Sequence, residues 1–148
     1  LATYIRDIAN TYSNELARRN IGLILDLQEP WPTISTSPNI WAHIVSNLIN
    51  NAMDHGLDAV EGGEIRIQLT RDAGGIQLSV LDTGQGMTEE VRKMAFDPFF
   101  TTRRGNTYTG LGLYITYNLV TQSLGGTIEC STAPSQGCEL KIRVPMPG

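Results

Sequence analysis

Two neighbouring stretches of this sequence alternate apolar and polar residues, and this pattern constrains the fold more than any other feature. Residues 64–71 place three aliphatic side chains on one face, and residues 75–82 do the same, as half-buried strands do. Residues 72–75, Asp-Ala-Gly-Gly, join the two stretches and are typical of a tight turn. The pattern predicts an antiparallel hairpin with one apolar face, which a layer of helices has to cover.

Helical and strand patterns elsewhere in the chain are grouped and do not alternate. Apolar residues recur at spacings of three and four in three segments, and Thr88 is placed to cap a further short helix. We therefore predict an α+β fold, a two-layer α/β sandwich with about three helices packed on a mixed, mostly antiparallel five-stranded sheet. The helical segments are residues 1–19, 38–55 and 110–123, and the remaining strands are residues 21–27, 126–131 and 138–144.

Composition and charge exclude several classes of function. The 148 residues form one predicted domain with a net charge of -4, which offers no basic surface for nucleic acid. No apolar run approaches the roughly 20 residues that cross a bilayer. We therefore expect a cytoplasmic domain without direct membrane contact, and any membrane anchor of the parent protein would lie outside this sequence. We expect the two cysteines, Cys130 and Cys138, to be free thiols.

The helix predicted over residues 38–55 carries a stripe of polar side chains beside its apolar face. Asparagine is unfavourable inside helices, so its repeated use here needs an explanation. One interpretation is an ordinary solvated face. The other is that two asparagines one turn apart present amide oxygens to a magnesium–phosphate group, because Mg²⁺ prefers oxygen ligands. The stripe consists of Asn47, Asn51, Asp54 and His55.

A glycine-rich turn follows the strand predicted over residues 75–82. Asp82 ends that strand, and Gly84 and Gly86 come directly before Met87. Glycine supplies the positive φ of ordinary strand-exit turns, so chain reversal alone is one explanation. The other is that the Asp82 carboxylate accepts a hydrogen bond from an exocyclic amine, while the glycines let a flat ring approach the backbone.

The chain between residues 96 and 113 combines aromatic residues, two arginines and a second glycine pair. The phenylalanines of residues 96–100 form either a satellite hydrophobic cluster or a hinge that packs down on a ligand. Gly110 and Gly112 open the next helix shortly after Arg103 and Arg104. These glycines either allow close packing or leave room for phosphate at the free N–H groups of the helix.

Four of these segments occur in an order and spacing that resemble a known family. They are similar to the asparagine, first glycine, phenylalanine and second glycine boxes of the ATP-binding catalytic domain of two-component sensor histidine kinases. That domain belongs to a superfamily shared with type II topoisomerases, heat-shock chaperones and mismatch-repair ATPases. The segments are residues 47–52 (Asn-Leu-Ile-Asn-Asn-Ala), 82–87 (Asp-Thr-Gly-Gln-Gly-Met), 96–100 (Phe-Asp-Pro-Phe-Phe) and 109–113 (Thr-Gly-Leu-Gly-Leu).

The resemblance implies a site for ATP and Mg²⁺. It implies that Asn51 ligates Mg²⁺ with support from Asn47, and that Asp82 recognises the adenine amine. It also implies a mobile lid over residues 101–109, with an arginine near the phosphates. The residues that it places at the nucleotide are Asn47, Asn51, Asp54, His55, Asp82, Gly84, Gly86, Met87, Phe99, Thr101, Thr102, Arg103, Arg104, Thr109, Gly110, Leu111, Gly112 and Leu113.

The resemblance also implies a reaction and partners. The γ-phosphate of Mg-ATP would pass to a histidine on a dimerisation and phosphoacceptor domain of the same protein, expected upstream of residue 1, and a response regulator would act downstream. His43 and His55 lack the acidic residue that usually follows the acceptor histidine of the family. We therefore expect the chain alone to bind ATP without phosphorylating itself, and we assign no catalytic residue.

Two departures from the family pattern leave alternatives open. Asp54 stands where the family often has Lys or Arg, and Gly137-Cys138 replaces a usual Gly-Thr pair. One alternative is an ATP-hydrolysing relative, although such relatives carry glutamate where this chain has Asn47, and an amide cannot activate water. The others are an anti-sigma-factor type serine kinase and a degenerate domain that binds partners without nucleotide.

Overall fold

The backbone is organised around one mixed sheet. The computed structural model describes residues 1–29, 36–53, 63–96, 112–132 and 136–146. Its strands in these ranges are β1 (Gly22–Leu27), β2 (Glu64–Asp72), β3 (Gly75–Asp82), β4 (Thr127–Thr132) and β5 (Cys138–Val144). They pair in the order β1-β2-β3-β5-β4, with β1 parallel to β2 and every other pair antiparallel. The predicted mixed, mostly antiparallel five-stranded sheet is confirmed.

The β2–β3 hairpin is the one that the alternating pattern predicted. Ile67 lies opposite Val80, and both side chains are buried on the helix-covered face. In the turn, the Gly74 N–H donates to the Asp72 carboxylate at 2.7 Å. Gly75 has a φ of +132°, a conformation that L side chains rarely adopt. The two turn glycines therefore fix the register of the hairpin.

The helices are more divided than the sequence pattern indicated. The segment predicted as one helix over residues 1–19 is broken after Asn10, because the hydroxyls of Thr11 and Ser13 donate to the carbonyls of Ile8 and Asn10 and compete with the helical ladder. In the described ranges the helices are α1 (Ala2–Asn10), α2 (Ser13–Arg18), α3 (Pro38–Asn51), α4 (Glu89–Met94) and α5 (Gly112–Asn118), which continues as a π-helical segment (Leu119–Ser123).

Helix α3 forms the centre of the layer that covers the sheet, with α1 and α5 packed against it. It begins as predicted, with Ser37 as the cap and Pro38 in the first turn. Trp41 is fully buried, and its indole N–H donates to the Thr36 hydroxyl at 2.8 Å. The described helices include none with the length and apolar character needed to cross a bilayer. The buried stripe of α3 consists of Trp41, Ile44, Val45, Leu48 and Ile49.

Candidate functional site

Asp82 lies at the end of β3, between the first residues of β5 and the Ile65 end of β2. The residue is only 9% exposed. The Gly84 N–H donates to its carboxylate at 2.9 Å, and the backbone N–H of Cys138 is a second donor. Burial raises the pKa of Asp82 to about 6, and the two N–H donors offset part of this rise. The result is a buried acceptor that is held in place by two backbone groups.

The glycine-rich turn after Asp82 folds against the strands of the terminal hairpin. The carbonyl of Gly84 accepts from the Gly137 N–H at 3.1 Å. The Met87 N–H donates to the Thr132 hydroxyl at 3.0 Å, and the Met87 side chain packs against the core. Gly86 has a φ of +68°. The segment is thus a strand-exit turn, and it also lies beside the buried carboxylate.

Gly137 and Thr132 lie in this part of the structure, although neither is among the predicted site residues. Gly137 has a φ of +73°, and a Cβ added there would come closer than 3.0 Å to the carbonyl oxygen of Asp82. The Thr132 hydroxyl donates to the Gly137 carbonyl at 2.6 Å. Thr132 lies directly opposite Cys138, the residue that replaces the threonine of the family's Gly-Thr pair. A threonine hydroxyl is therefore present on the neighbouring strand, β4.

Asn47, Asn50 and Asn51 lie in two different environments on α3. Asn47 and Asn51 are half-buried at the border of the core-facing side, one turn apart. Among the residues that the structure describes, neither side-chain amide has a hydrogen-bond partner. Asn50 is exposed, and its amide donates to the Tyr12 hydroxyl at 3.4 Å. The solvated-face interpretation therefore fits Asn50, whereas Asn47 and Asn51 are only half-exposed.

The aromatic segment begins at Phe96, which packs on α5. Its ring centroid lies 5.7 Å from that of Tyr117, with the planes tilted by 39°. Leu113, in the first turn of α5, is also partly buried against the core, and Gly112 is the first residue of that helix. The remaining candidates, Asp54, His55, Phe99, Thr101, Thr102, Arg103, Arg104, Thr109, Gly110 and Leu111, lie outside the described residues.

The structure thus brings the candidates together in two groups. One group lies at the end of β3. It contains Asp82, the glycine turn that follows it, and Met87, whose N–H donates to Thr132. The other is the pair Asn47 and Asn51 on α3. The contact of Thr132 could not be read from the sequence, because it depends on the pairing of strands that are far apart along the chain.

Known proteins with similar sequences and folds provide a further finding. Residues 36–148 match the family model described as histidine kinase-, DNA gyrase B-, and HSP90-like ATPase. The chain is 29% identical over 147 residues to the sensor histidine kinase ZraS of Escherichia coli (strain K12), a match that covers 99% of this chain and 30% of that kinase. The chain therefore spans less than a third of the length of this relative.

Solved structures show the same fold. The nucleotide-free catalytic domain of histidine kinase ThkA superposes with a TM-score of 0.85 at 24% identity, covering 99% of this chain and 93% of that one. Full-length ShkA in complex with AMPPNP has a TM-score of 0.85 at 26% identity, covering 99% and 30%. ThkA in complex with the response regulator protein TrrA has a TM-score of 0.79 at 22% identity, covering 99% and 40%.

Proposed function

We propose that this chain, which belongs to the histidine kinase-, DNA gyrase B-, and HSP90-like ATPase family, is the ATP-binding catalytic domain of a sensor histidine kinase. It binds ATP with Mg²⁺ and donates the γ-phosphate to a histidine on a separate dimerisation domain of the same protein. A response regulator then receives the phosphoryl group. The observation that carries this proposal is the buried carboxylate of Asp82 beside a glycine turn.

Adenine recognition is assigned to Asp82. Its carboxylate is buried and already receives two backbone N–H groups, so the side chain cannot turn away and its remaining lone pairs have a fixed direction. An exocyclic amine is a donor that matches this acceptor, and a base without a donor there leaves the carboxylate unpaired at a cost. The neighbouring turn, with Gly84, Gly86 and Met87, contributes the wall of the base pocket.

The magnesium site is assigned to Asn51, with Asn47 in support. Their half-buried amides have no competing hydrogen bond in the described part of the chain, and neutral amide oxygens fit a cation that also keeps phosphate and water ligands. When bound, the ion neutralises charge on the phosphates. Asn47 cannot act as a base towards water, so hydrolysis of ATP should be slow, which suits a chain that transfers phosphate to a partner.

The proposal is tested by two measurements on the intact chain. A fluorescent ATP analogue is titrated with and without Mg²⁺, and γ-labelled ATP is then supplied together with a separately prepared dimerisation domain from the same protein. We expect saturable, Mg²⁺-assisted binding, label on the dimerisation domain and no label on this chain. Absence of binding under both conditions would contradict the assignment, and stoichiometric label on His43 would replace it with a self-phosphorylating activity.

Replacing Asn51 with alanine is expected to remove most of the gain in ATP affinity that Mg²⁺ provides. The substitution deletes one oxygen ligand and leaves the fold intact, because Asn51 is in the last turn of α3 and alanine favours helix. The measurement is the ratio of dissociation constants with Mg²⁺ and with EDTA. Asn50→Ala is the matched control, since Asn50 is on the exposed side of the same helix. Equal ratios in both variants would refute the metal role.

Binding of ATP is expected to weaken about tenfold between pH 7 and pH 5. The pKa of Asp82 lies at about 6, so the carboxylate is mostly ionised at pH 7 and mostly protonated at pH 5, one unit below the pKa. The measurement is the dissociation constant across this range. The phosphates of ATP titrate in the same pH window. The variant Asp82→Asn isolates their contribution, because its affinity should lack the pH dependence that is due to Asp82. Identical pH profiles in both proteins would contradict the prediction.

A further inference from the structure

Two thiols lie against each other beside the proposed adenine site. The sulfur atoms of Cys130 and Cys138 are 3.6 Å apart, and both cysteines are free. Cys138 is opposite Thr132, and Cys130 is opposite Leu140, so the cysteines are diagonal neighbours on one face of the β4–β5 ladder. A disulfide needs the sulfurs to approach to about 2.05 Å.

The surroundings of the pair favour attack by Cys130. Cys130 is half-buried on β4, the last strand of the sheet, whereas Cys138 is buried. The hydrogen bond between the two sulfurs lowers the pKa of Cys130, burial acts in the opposite direction, and the Arg92 guanidinium lowers the pKa further. The same contact raises the pKa of Cys138. Cys130 is therefore the thiol with more thiolate character and better access to an oxidant.

Cys138 also connects the pair to Asp82. Its backbone N–H is one of the two donors to the Asp82 carboxylate, and Gly137 before it leaves no space for a Cβ against the carbonyl of Asp82. A shift of the first residue of β5 therefore changes the hydrogen bonding of Asp82. Diagonal neighbours on an antiparallel pair have Cα atoms roughly 7–8 Å apart, which is too far for a disulfide without backbone movement. Closing the 3.6 Å between the sulfurs to about 2.05 Å therefore shifts β5, β4 or both.

We propose that Cys130 and Cys138 form a reversible disulfide that weakens nucleotide binding by displacing the Cys138 N–H from Asp82. Formation of the disulfide is independent of the proposed function, whereas its effect on nucleotide binding rests on that function. The oxidant is a small-molecule disulfide such as oxidised glutathione.

The reaction balances as two thiol–disulfide exchanges. The Cys130 thiolate attacks one glutathione sulfur, the sulfur–sulfur bond of glutathione disulfide breaks, and one glutathione thiolate leaves. Cys138 then loses its proton, and its sulfur attacks the Cys130 sulfur of the mixed disulfide, so that the second glutathione thiolate leaves. The two cysteines lose two electrons and two protons, and one glutathione disulfide is reduced to two glutathiones.

The test compares the chain in reduced glutathione with the chain in oxidised glutathione. Intact mass after thiol alkylation counts the free cysteines, titration of a fluorescent ATP analogue gives the affinity, and carbon NMR follows the pKa of the Asp82 carboxyl. We expect an intramolecular disulfide and recovery of the free thiols with dithiothreitol. The loss of affinity should be about tenfold, the lower end of what a hydrogen bond to a charged group contributes. The pKa of Asp82 should rise, since a donor to its carboxylate is lost.

Cys130→Ser is the control, because it removes the attacking thiol and leaves the Cys138 backbone in place. Its affinity should equal that of the reduced chain and should not respond to oxidised glutathione. Failure of the folded chain to form the disulfide overturns the proposal, and so does a disulfide that leaves both affinity and the pKa of Asp82 unchanged. If the reduced chain does not bind nucleotide, the proposed function fails, and the pKa of Asp82 alone decides whether the thiol pair controls that carboxylate.

Discussion

Replacing Asp82 with asparagine is expected to weaken ATP binding about a hundredfold, because hydrogen bonds to a charged group contribute roughly 1.5–3 kcal/mol and each ~1.4 kcal/mol is a factor of ten. The Gly84 N–H donates to one carboxylate oxygen at 2.9 Å. We expect an asparagine to keep its oxygen on that donor, so that its NH₂ group faces the position proposed for the adenine amine and two donors then meet. The measurement is competition of ATP and GTP against a fluorescent analogue.

Stability provides the control for this variant. Folding raises the pKa of Asp82 from 3.8 to about 6, so the folded state holds its proton more tightly than the unfolded state does. Stability from this group is therefore fully present below pH 3.8 and is lost as the pH rises through about 6. Asparagine carries no charge to desolvate, so Asp82→Asn should be as stable as the parent at pH 4 and more stable at pH 7, by roughly 3 kcal/mol at most.

Denaturant unfolding at the two pH values measures this difference. A variant that is destabilised at pH 7 would show that the hydrogen bonds from the two backbone donors to a charged acceptor outweigh the cost of burying that charge. A stable variant with unchanged ATP affinity would remove Asp82 from adenine recognition. A stable variant that loses affinity for ATP without a matching loss of affinity for GTP would support the assignment of the amine contact.

Local features of the fold were predictable because neighbouring residues determine them. The β2–β3 turn follows from the glycines of residues 72–75, and the start of α4 follows from Thr88, whose hydroxyl accepts from the Val91 N–H at 3.2 Å. The break between α1 and α2 was missed, because the apolar spacing runs through it without interruption. Only the competing hydroxyls of Thr11 and Ser13 mark it.

The surroundings of Asp82 along the chain were predictable, but its contacts across the sheet were not. Asp82 and the turn glycines are adjacent in the sequence, so their proximity could be inferred from the chain itself. The contact between Met87 and Thr132 joins residues 45 positions apart, and it exists only because β4, β5 and β3 pair in one register. Sequence periodicity gives the face of a residue but not its partner across the sheet.

Replacing Gly137 with alanine is expected to destabilise the fold by about 4 kcal/mol, combining left-handed strain of ~1 kcal/mol or more with the cost of overpacking. The residue has a φ of +73°, and its Cβ would lie closer than 3.0 Å to the Asp82 carbonyl oxygen and 3.3 Å from the Thr83 Cα. Both neighbours are backbone, so they move only if β3 and β5 separate. The measurement is the free energy of unfolding in urea.

Gly125→Ala is the matched control for this substitution. Gly125 has a φ of +68°, close to that of Gly137, but a Cβ added there would meet nothing within 4 Å. It should therefore cost only the backbone strain, ~1 kcal/mol, and the difference between the two variants isolates the collision with Asp82. Because that collision displaces the Asp82 backbone, Gly137→Ala should also lose ATP affinity under conditions where it remains folded, whereas Gly125→Ala should retain it. Equal destabilisation in both variants would mean that β3 and β5 separate easily at this end, and that the backbone around Asp82 is less constrained than its two N–H donors suggest.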